Sequence, residues 1–247
     1  MQIQKNDIYQ LGSHYLACGD CLDPTIVERL TGERRVSLIL TDPPYGVGYV
    51  ENKASFNMPK KNKVIANDQL RTDVEYGDFM AGWLNLIKPH LADKNSYYLF
   101  NSDKMLFAMR EGIQLAGFKF AQLLIWIKNH AVMGRLNYLP QHELIAYGWY
   151  GTHSFFKSQD KSVLYYPKPN KSPLHPTMKP VGLLRNLILN SSRIDEWVYD
   201  PFLGSGSTLI ASEQTRRRCV GIELDPEYCQ VIIDRYKKVT GKEALKL

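Results

Sequence analysis

Two rhythms of apolar and polar positions alternate along this chain. Short apolar runs of buried-strand type are His14 to Ala17 before a Gly19-Asp20 turn, Val36 to Leu40 ending at Thr41-Asp42, Tyr97 to Phe100, Phe118 to Ile127, Glu143 to Tyr147, Trp197 to Tyr199 and Cys219 to Leu224. Helical runs lie between them. Asp23-Pro24-Thr25 opens a short helix through Leu30, with proline in its first turn. Tyr76, Phe79, Met80, Trp83, Leu84, Ile87 and Leu91 recur at three- and four-residue steps, the buried stripe of a helix. Further helices are expected over Lys104 to Ala116, Val181 to Leu189 and Thr208 to Gln214, and Asp225 caps a last one with Tyr228, Val231, Ile232 and Tyr236 on one side. Strands alternating with helices predict an α/β fold, doubly wound, with a mostly parallel sheet covered on both faces. No internal repeat or clean boundary divides the chain, so residues 1–247 read as one domain.

Two stretches break the rhythm. Gly46 to Asp73 is polar, carries Lys53, Lys60, Lys61 and Lys63, and is long for a structureless loop. It reads either as a solvated surface insertion or as a flap near nucleic acid; with its borders, 46–75, it is expected to be a flexible loop facing nucleic acid. Residues 151–176 are rich in lysine, serine, proline and tyrosine, and read as a short connector or a small target-recognition segment.

Composition adds limits. The 247 residues suffice for one substantial domain, and 44% hydrophobic with 23% charged residues is ordinary for a soluble globular protein. No apolar run is long enough to cross a bilayer, and Met1 to Asp7 lacks the apolar core of a secretory signal, so a cytoplasmic protein without membrane contact is expected. Cys18 and Cys21 form a C-x-x-C without a second pair or nearby histidine, which reads as two reduced thiols; no metal site is expected. The formal charge of +6 is compatible with a polyanionic partner without establishing one. Lys60, Lys61 and Lys63 are candidates for phosphate contact. Arg216, Arg217 and Arg218 end a helix and read either as phosphate contacts or as cations that answer the helix dipole.

Candidate chemistry gathers in two segments far apart in sequence. Asp200-Pro201-Phe202-Leu203-Gly204-Ser205-Gly206-Ser207-Thr208 is a strand running into a glycine loop, where Gly204 and Gly206 let a ligand approach the backbone. The next strand ends in Glu223, placed to accept from a ribose diol. A full G-x-G-x-x-G is missing and no Gly-Lys-Ser/Thr follows, so a nucleoside without phosphate fits better than a dinucleotide or ATP. Asp200, at the strand's carboxyl end, is expected to meet a cation such as an amino-acid ammonium. The other segment is Thr41-Asp42-Pro43-Pro44-Tyr45. The Asp42 side chain and the Pro43 carbonyl can both accept from one exocyclic amino group, proline fixes the backbone, and Tyr45 offers a face for stacking on a base. Two such acceptors favour a more tetrahedral nitrogen and free its lone pair for in-line attack on a methyl sulfonium, with the proton leaving through Asp42 or water. No Pro-Cys dipeptide is present to serve carbon-5 cytosine methylation.

These motifs resemble the amino-methylating DNA methyltransferases, which modify adenine N6 or cytosine N4 with S-adenosylmethionine and leave S-adenosylhomocysteine. The catalytic motif comes first and the cofactor loop last, which resembles the circularly permuted beta group and implies its seven-stranded, Rossmann-like sheet. The resemblance implies catalytic roles for Asp42, Pro43, Pro44 and Tyr45. It implies a cofactor loop of Asp200, Pro201, Phe202, Gly204, Ser205, Gly206 and Thr208, a ribose-binding strand with Glu223 and Leu224, and Asp20 near the adenine amino group of the cofactor, with Asp42 also bordering it. His175-Pro176-Thr177-Met178-Lys179-Pro180 looks like the family's methionine-contacting segment, which implicates His175, Thr177 and Lys179. Aspartate rather than serine at position 42 favours adenine in this family. The implied partner is double-stranded DNA, with Lys53, Lys60, Lys61 and Lys63 as nucleic-acid contacts. A homodimer and a companion restriction or specificity protein are further expectations of the resemblance. The rivals are cytosine-N4 methylation, RNA methylation and a non-catalytic DNA-binding module.

Overall fold

The computed structural model describes residues 2–45, 71–131, 137–157, 159–168 and 178–247. In chain order the strands are β1 Ile8–Leu11, β2 His14–Cys18, β3 Val36–Thr41, β4 Leu91–Asn101, β5 Lys119–Ile127, β6 His142–Trp149, β7 Thr152–His153, β8 Val163–Tyr165, β9 Trp197–Asp200, β10 Arg218–Glu223 and β11 Ala244–Lys246. The helices are α1 Pro24–Thr31, α2 Asp73–Ile87, α3 Leu106–Leu115, α4 Val181–Ser191, α5 Ser207–Gln214 and α6 Pro226–Thr240.

The sheet runs β11-β1-β2-β10-β9-β3-β4-β6-β5-β8, with β7 against the start of β4. Its middle, β2-β10-β9-β3-β4, is parallel throughout, and β6 lies antiparallel between β4 and β5. The body β2-β10-β9-β3-β4-β6-β5 is the expected seven-stranded sheet, but the whole sheet is larger. Short strands extend both edges: β1 and β11 pair antiparallel beside β2, and β8 pairs with β5. β7 and β8 fall in the segment read as a connector; residue 158 and residues 169–176 of that segment lie outside the described residues.

Helices cover both faces. Helices α1, α2 and α3 bury Ile26, Trp83 and Met109 against Ile39, Tyr97 and Val220. On the other face α4 packs Leu184 and Ile188 on Leu38, Leu40 and Val198, while α5 and α6 bury Leu209, Ile232 and Tyr236 against Leu16 and Cys219. Val36 and Ile39, an odd number of residues apart, face the same layer because the register of β3 shifts between Val36 and Leu38.

Helix starts follow the sequence signals. Asp23 accepts from Thr25 N–H at 2.9 Å, and Asp225 from Glu227 N–H at 2.9 Å. Thr72 and Glu75 form a reciprocal capping box, so α2 begins at Asp73 and the loop expected over 46–75 ends at Thr72; residues 46–70 lie outside the described residues. The last helix buries Cys229, Ile232 and Tyr236, whereas Tyr228 and Val231 are half-buried.

The arginine run sits just past the end of a helix. Helix α5 stops at Gln214, Arg218 opens β10, and Arg217 is buried, its guanidinium donating to the Thr215 and Ser192 carbonyls at 2.6 and 2.5 Å. Arg217 therefore ties the helix end to the segment after α4 and is not presented to a phosphate. All four cysteines are free and buried. Among the described residues no helix is long and apolar enough to cross a membrane.

Candidate active site

The two chemical segments leave neighbouring strands. β3 and β9 run parallel with Ile39 beside Tyr199, and the Thr41 hydroxyl donates to the Asp200 carboxylate at 2.5 Å across 159 residues of sequence. From β9 the sheet extends through β10 on one side and through β3 and β4 on the other. This reversal of strand order opens a crevice beyond the carboxyl ends of the strands, the usual ligand position in an open α/β sheet.

On the β9–β10 side, backbone and acid form a cradle. Gly204 and Gly206 have φ of 53° and 79°, left-handed values that side chains rarely tolerate, and Gly206 begins α5. Arg235 reaches from α6 to donate to the Ser205 carbonyl at 2.8 Å and the Ser207 hydroxyl at 3.1 Å, pinning the loop from behind. Glu223 accepts from Gly204 N–H at 2.7 Å and Asp225 N–H at 2.9 Å. Burial lifts its carboxyl to about 7 against those two hydrogen bonds. Gly19 N–H donates to the Glu223 carbonyl at 2.9 Å, which sets the Asp20 turn beside the end of β10. Asp20 is half-buried and its carboxylate accepts from Leu22 N–H at 3.0 Å.

Asp200 departs from its expected role. It is 3% exposed, turned inward to Thr41 and to Phe202 N–H at 3.0 Å, and lifted by burial to about 6, with Thr208 among the groups that oppose the lift. It therefore braces the two segments and presents no open carboxylate to an ammonium. Pro201, Ser205 and Thr208 are buried, Leu224 is half-buried, and the Phe202 ring packs 5.8 Å from Phe79 and from Trp83.

On the β3 side a chain of charges surrounds Asp42. Tyr45 hydroxyl donates to one carboxylate oxygen at 2.8 Å, and the Lys179 ammonium donates to the other. Lys179 also contacts Glu143 at 3.1 Å, and Glu143 pairs with Lys128 at 2.9 Å through its second oxygen. Burial is the largest influence on Asp42 and raises its pKa; Lys179 opposes this and the Glu143 charge adds to it. Burial acts upward on Glu143 too, but the two ammonium groups prevail and hold it below the ordinary value. Lys179 stays above its ordinary value despite burial, because two carboxylates face it. Tyr45, expected to stack on a base, has its hydroxyl tied to Asp42, and burial raises its pKa first. Pro43 is buried and Pro44 half-buried.

Lys179, expected in a segment that contacts the methionine part of the cofactor, thus stands directly beside Asp42. His175 and Thr177, and the lysines Lys53, Lys60, Lys61 and Lys63, lie outside the described residues. Sequence reasoning missed Glu143 and Lys128. Topology places them: β6 runs against its neighbours, so its first residues sit at the edge where β3, β9 and β10 end, and β5 ends there too. A charged residue at each end of otherwise apolar strands was the available signal.

The chain matches the model of the N6/N4 DNA methylase family over residues 36–234. It is 23% identical over 235 residues to the type II methyltransferase M2.MboI of Moraxella bovis, covering 84% of this chain and 83% of that protein. It is 25% identical over 233 residues to the type II methyltransferase M.HpaI of Haemophilus parainfluenzae, covering 82% and 68%. Among solved structures, M1.HpyAVI in complex with SAM superposes with a TM-score of 0.65 at 22% identity, covering 89% of this chain and 98% of that one. The cytosine-N4-specific PvuII DNA methyltransferase superposes with a TM-score of 0.71 at 16% identity, covering 93% and 91%. This chain belongs to the N6/N4 DNA methylase family.

Proposed function

We propose that this DNA methyltransferase acts on the N6 amino group of an adenine rotated out of duplex DNA. The observation that supports the reading is the Thr41–Asp200 hydrogen bond, which joins the strand ends that lead into the Asp42-to-Tyr45 segment and the glycine loop. S-Adenosylmethionine is the cofactor: it supplies a methyl on a sulfonium, and transfer breaks that C–S bond, forms an N–C bond and releases one proton from the amine. The donor set fits a nucleoside without phosphate. Glu223 and Asp20 stand as acceptors at adjoining strand ends, and the glycine loop exposes backbone close to them. Glu223 would hold the ribose hydroxyls, Asp20 the adenine amino group, and the loop from Pro201 to Gly206 the remainder.

On the base side, Asp42 and the Pro43 carbonyl accept from the target amine. A carboxylate oxygen takes more than one donor, so Asp42 can receive the amine while Tyr45 and Lys179 remain in place. Rotating a base out costs a few kcal/mol, offset by contacts to its edge and face. Aspartate at position 42 supports adenine. Cytosine N4 is an amine of the same kind, and one solved neighbour is a cytosine-N4 enzyme. Lys53, Lys60, Lys61 and Lys63 are proposed as phosphate contacts.

Mass spectrometry of nucleosides digested from DNA incubated with the enzyme and cofactor tests the proposal. N6-methyldeoxyadenosine is the expected product. N4-methyldeoxycytidine would move the assignment to cytosine, methylation confined to an RNA control would reject DNA as substrate, and no product on either would reject methyl transfer.

A further inference from the structure

Behind Asp42 stand Glu143 and Lys128, charged residues outside both the Asp42-to-Tyr45 and the Asp200-to-Thr208 segments. Lys128 is 5% exposed and Lys179 8% exposed, and each contacts Glu143. Desolvating ammonium and carboxylate groups costs several kcal/mol per ion before pairing, and an apolar pair of similar volume often serves stability as well or better. The join of β5 and β6 does not depend on these charges. Their ladder runs from Lys119–Trp149 to Ile127–His142, and the Lys128 N–H donates to the Gln141 carbonyl at 2.8 Å. The charges are arranged toward Asp42: Glu143 gives one oxygen to Lys128 and the other to Lys179, whose ammonium reaches Asp42.

We infer that Glu143 and Lys128 are positioning residues for methyl transfer: Glu143 fixes the Lys179 ammonium against Asp42, Lys128 neutralises Glu143, and together they set the charge that Asp42 carries when the base arrives. The inference rests on the aminomethylating reading of Asp42. Among the described residues, the groups facing Asp42 are Tyr45 on its own loop, Lys179 before α4, Glu143 on β6 and Asp200 on β9, with Lys128 acting through Glu143 and Tyr76 of α2 facing Tyr45. The signs follow from Coulomb's law. Glutamine at 143 removes a negative charge near Asp42 and leaves Lys179 to it alone, so the Asp42 pKa falls. Methionine at 128 leaves Glu143 uncompensated, so the Asp42 pKa rises.

The experiment follows the Asp42 carboxyl by 13C NMR in protein labelled at aspartate carboxyl carbons, without cofactor or DNA, in wild type, Glu143→Gln, Lys128→Met and Lys128→Arg. The midpoint is expected to fall by about one unit or more in Glu143→Gln, to rise by a similar amount in Lys128→Met, and to return to the wild-type value in Lys128→Arg. The acid limb of kcat, measured at saturating cofactor and DNA, is expected to move in the same directions, while the cofactor Kd stays within about twofold, as for groups that do not touch it. Unmoved midpoints, or shifts of the same sign in both charge-removing variants, would overturn the inference, whatever happens to thermal stability. The NMR titration decides this without turnover, whereas failure of the wild-type enzyme to methylate DNA would instead reject the underlying reading.

Discussion

Replacing Glu223 by glutamine isolates the buried acid at the end of β10 that is proposed to hold the cofactor ribose. In the wild-type protein burial holds this carboxyl at about 7, so it is half neutral at pH 7 and mostly neutral at pH 6. Its ionised form accepts from both hydroxyls of a ribose, and its neutral form has lost one of those acceptors. If the cofactor binds only the ionised form, affinity rises with pH through the midpoint: the Kd is about tenfold larger at pH 6 than at pH 8, about 1.4 kcal/mol. At pH 7 binding then releases about half a proton per cofactor, which calorimetry in buffers of different ionisation enthalpy reads directly. Glutamine carries an NH2 that would face the Gly204 or Asp225 N–H, both of which now donate to Glu223. The variant is expected to bind at least about tenfold more weakly at pH 8, with little change down to pH 6. That flatness separates Glu223 from Asp200, which also titrates near this range, at about 6. A wild-type Kd constant from pH 6 to 8, or a pH dependence that survives in Glu223→Gln, would refute the reasoning.

Other perturbations separate the base side, the loop and the scaffold. Asp42→Ala is expected to lower kcat by about a hundredfold or more while the cofactor Kd changes less than about threefold, checked by tritium transfer and calorimetry. Gly206→Ala forces a left-handed φ of 79° and sets a new methyl 3.1 Å from Ile232, so stability should fall by about 1–2 kcal/mol in denaturant melts with weaker cofactor binding. Arg217→Met strands the buried Ser192 and Thr215 carbonyls, an expected loss of about 2–4 kcal/mol in the same melts, with DNA affinity at low temperature unchanged because this arginine does not reach phosphate. Replacing Lys60, Lys61 and Lys63 together by alanine should reduce the slope of log affinity against log salt by about 3 in filter-binding assays, if all three neutralise phosphates.

Elements whose signals are local were legible in the sequence. Asp23-Pro24 and Asp225-Pro226 cap helices as their residue types require, and the apolar run Val36 to Leu40 is a buried strand. The order of catalytic motif and cofactor loop was legible as well, and the parallel pairing of β3 with β9 explains how that order still yields one crevice. Non-local features were not legible. β1 and β11 are short strands from opposite ends of the chain that gain strand character only by pairing with each other and with β2. Glu143 and Lys128 look like strand-end charges until the antiparallel course of β6 brings both to the site. Asp200 could be placed at a strand end but not aimed: its inward turn depends on Thr41, a partner 159 residues away in sequence. The helix-end reading of the arginine run holds in part, since Arg217 donates to the Thr215 carbonyl at the C-cap of α5; its bond to the Ser192 carbonyl was not legible, because that partner lies 25 residues away in sequence.

A crystal structure of the enzyme with S-adenosylhomocysteine and a duplex carrying its target base would test the shared crevice most directly. The account predicts the cofactor against Glu223 and the Gly204–Gly206 loop, with an extrahelical adenine whose amino group contacts Asp42 and points at the cofactor sulfur. A cofactor bound away from the ends of β9 and β10, or a base held on a face remote from Asp42, would contradict it.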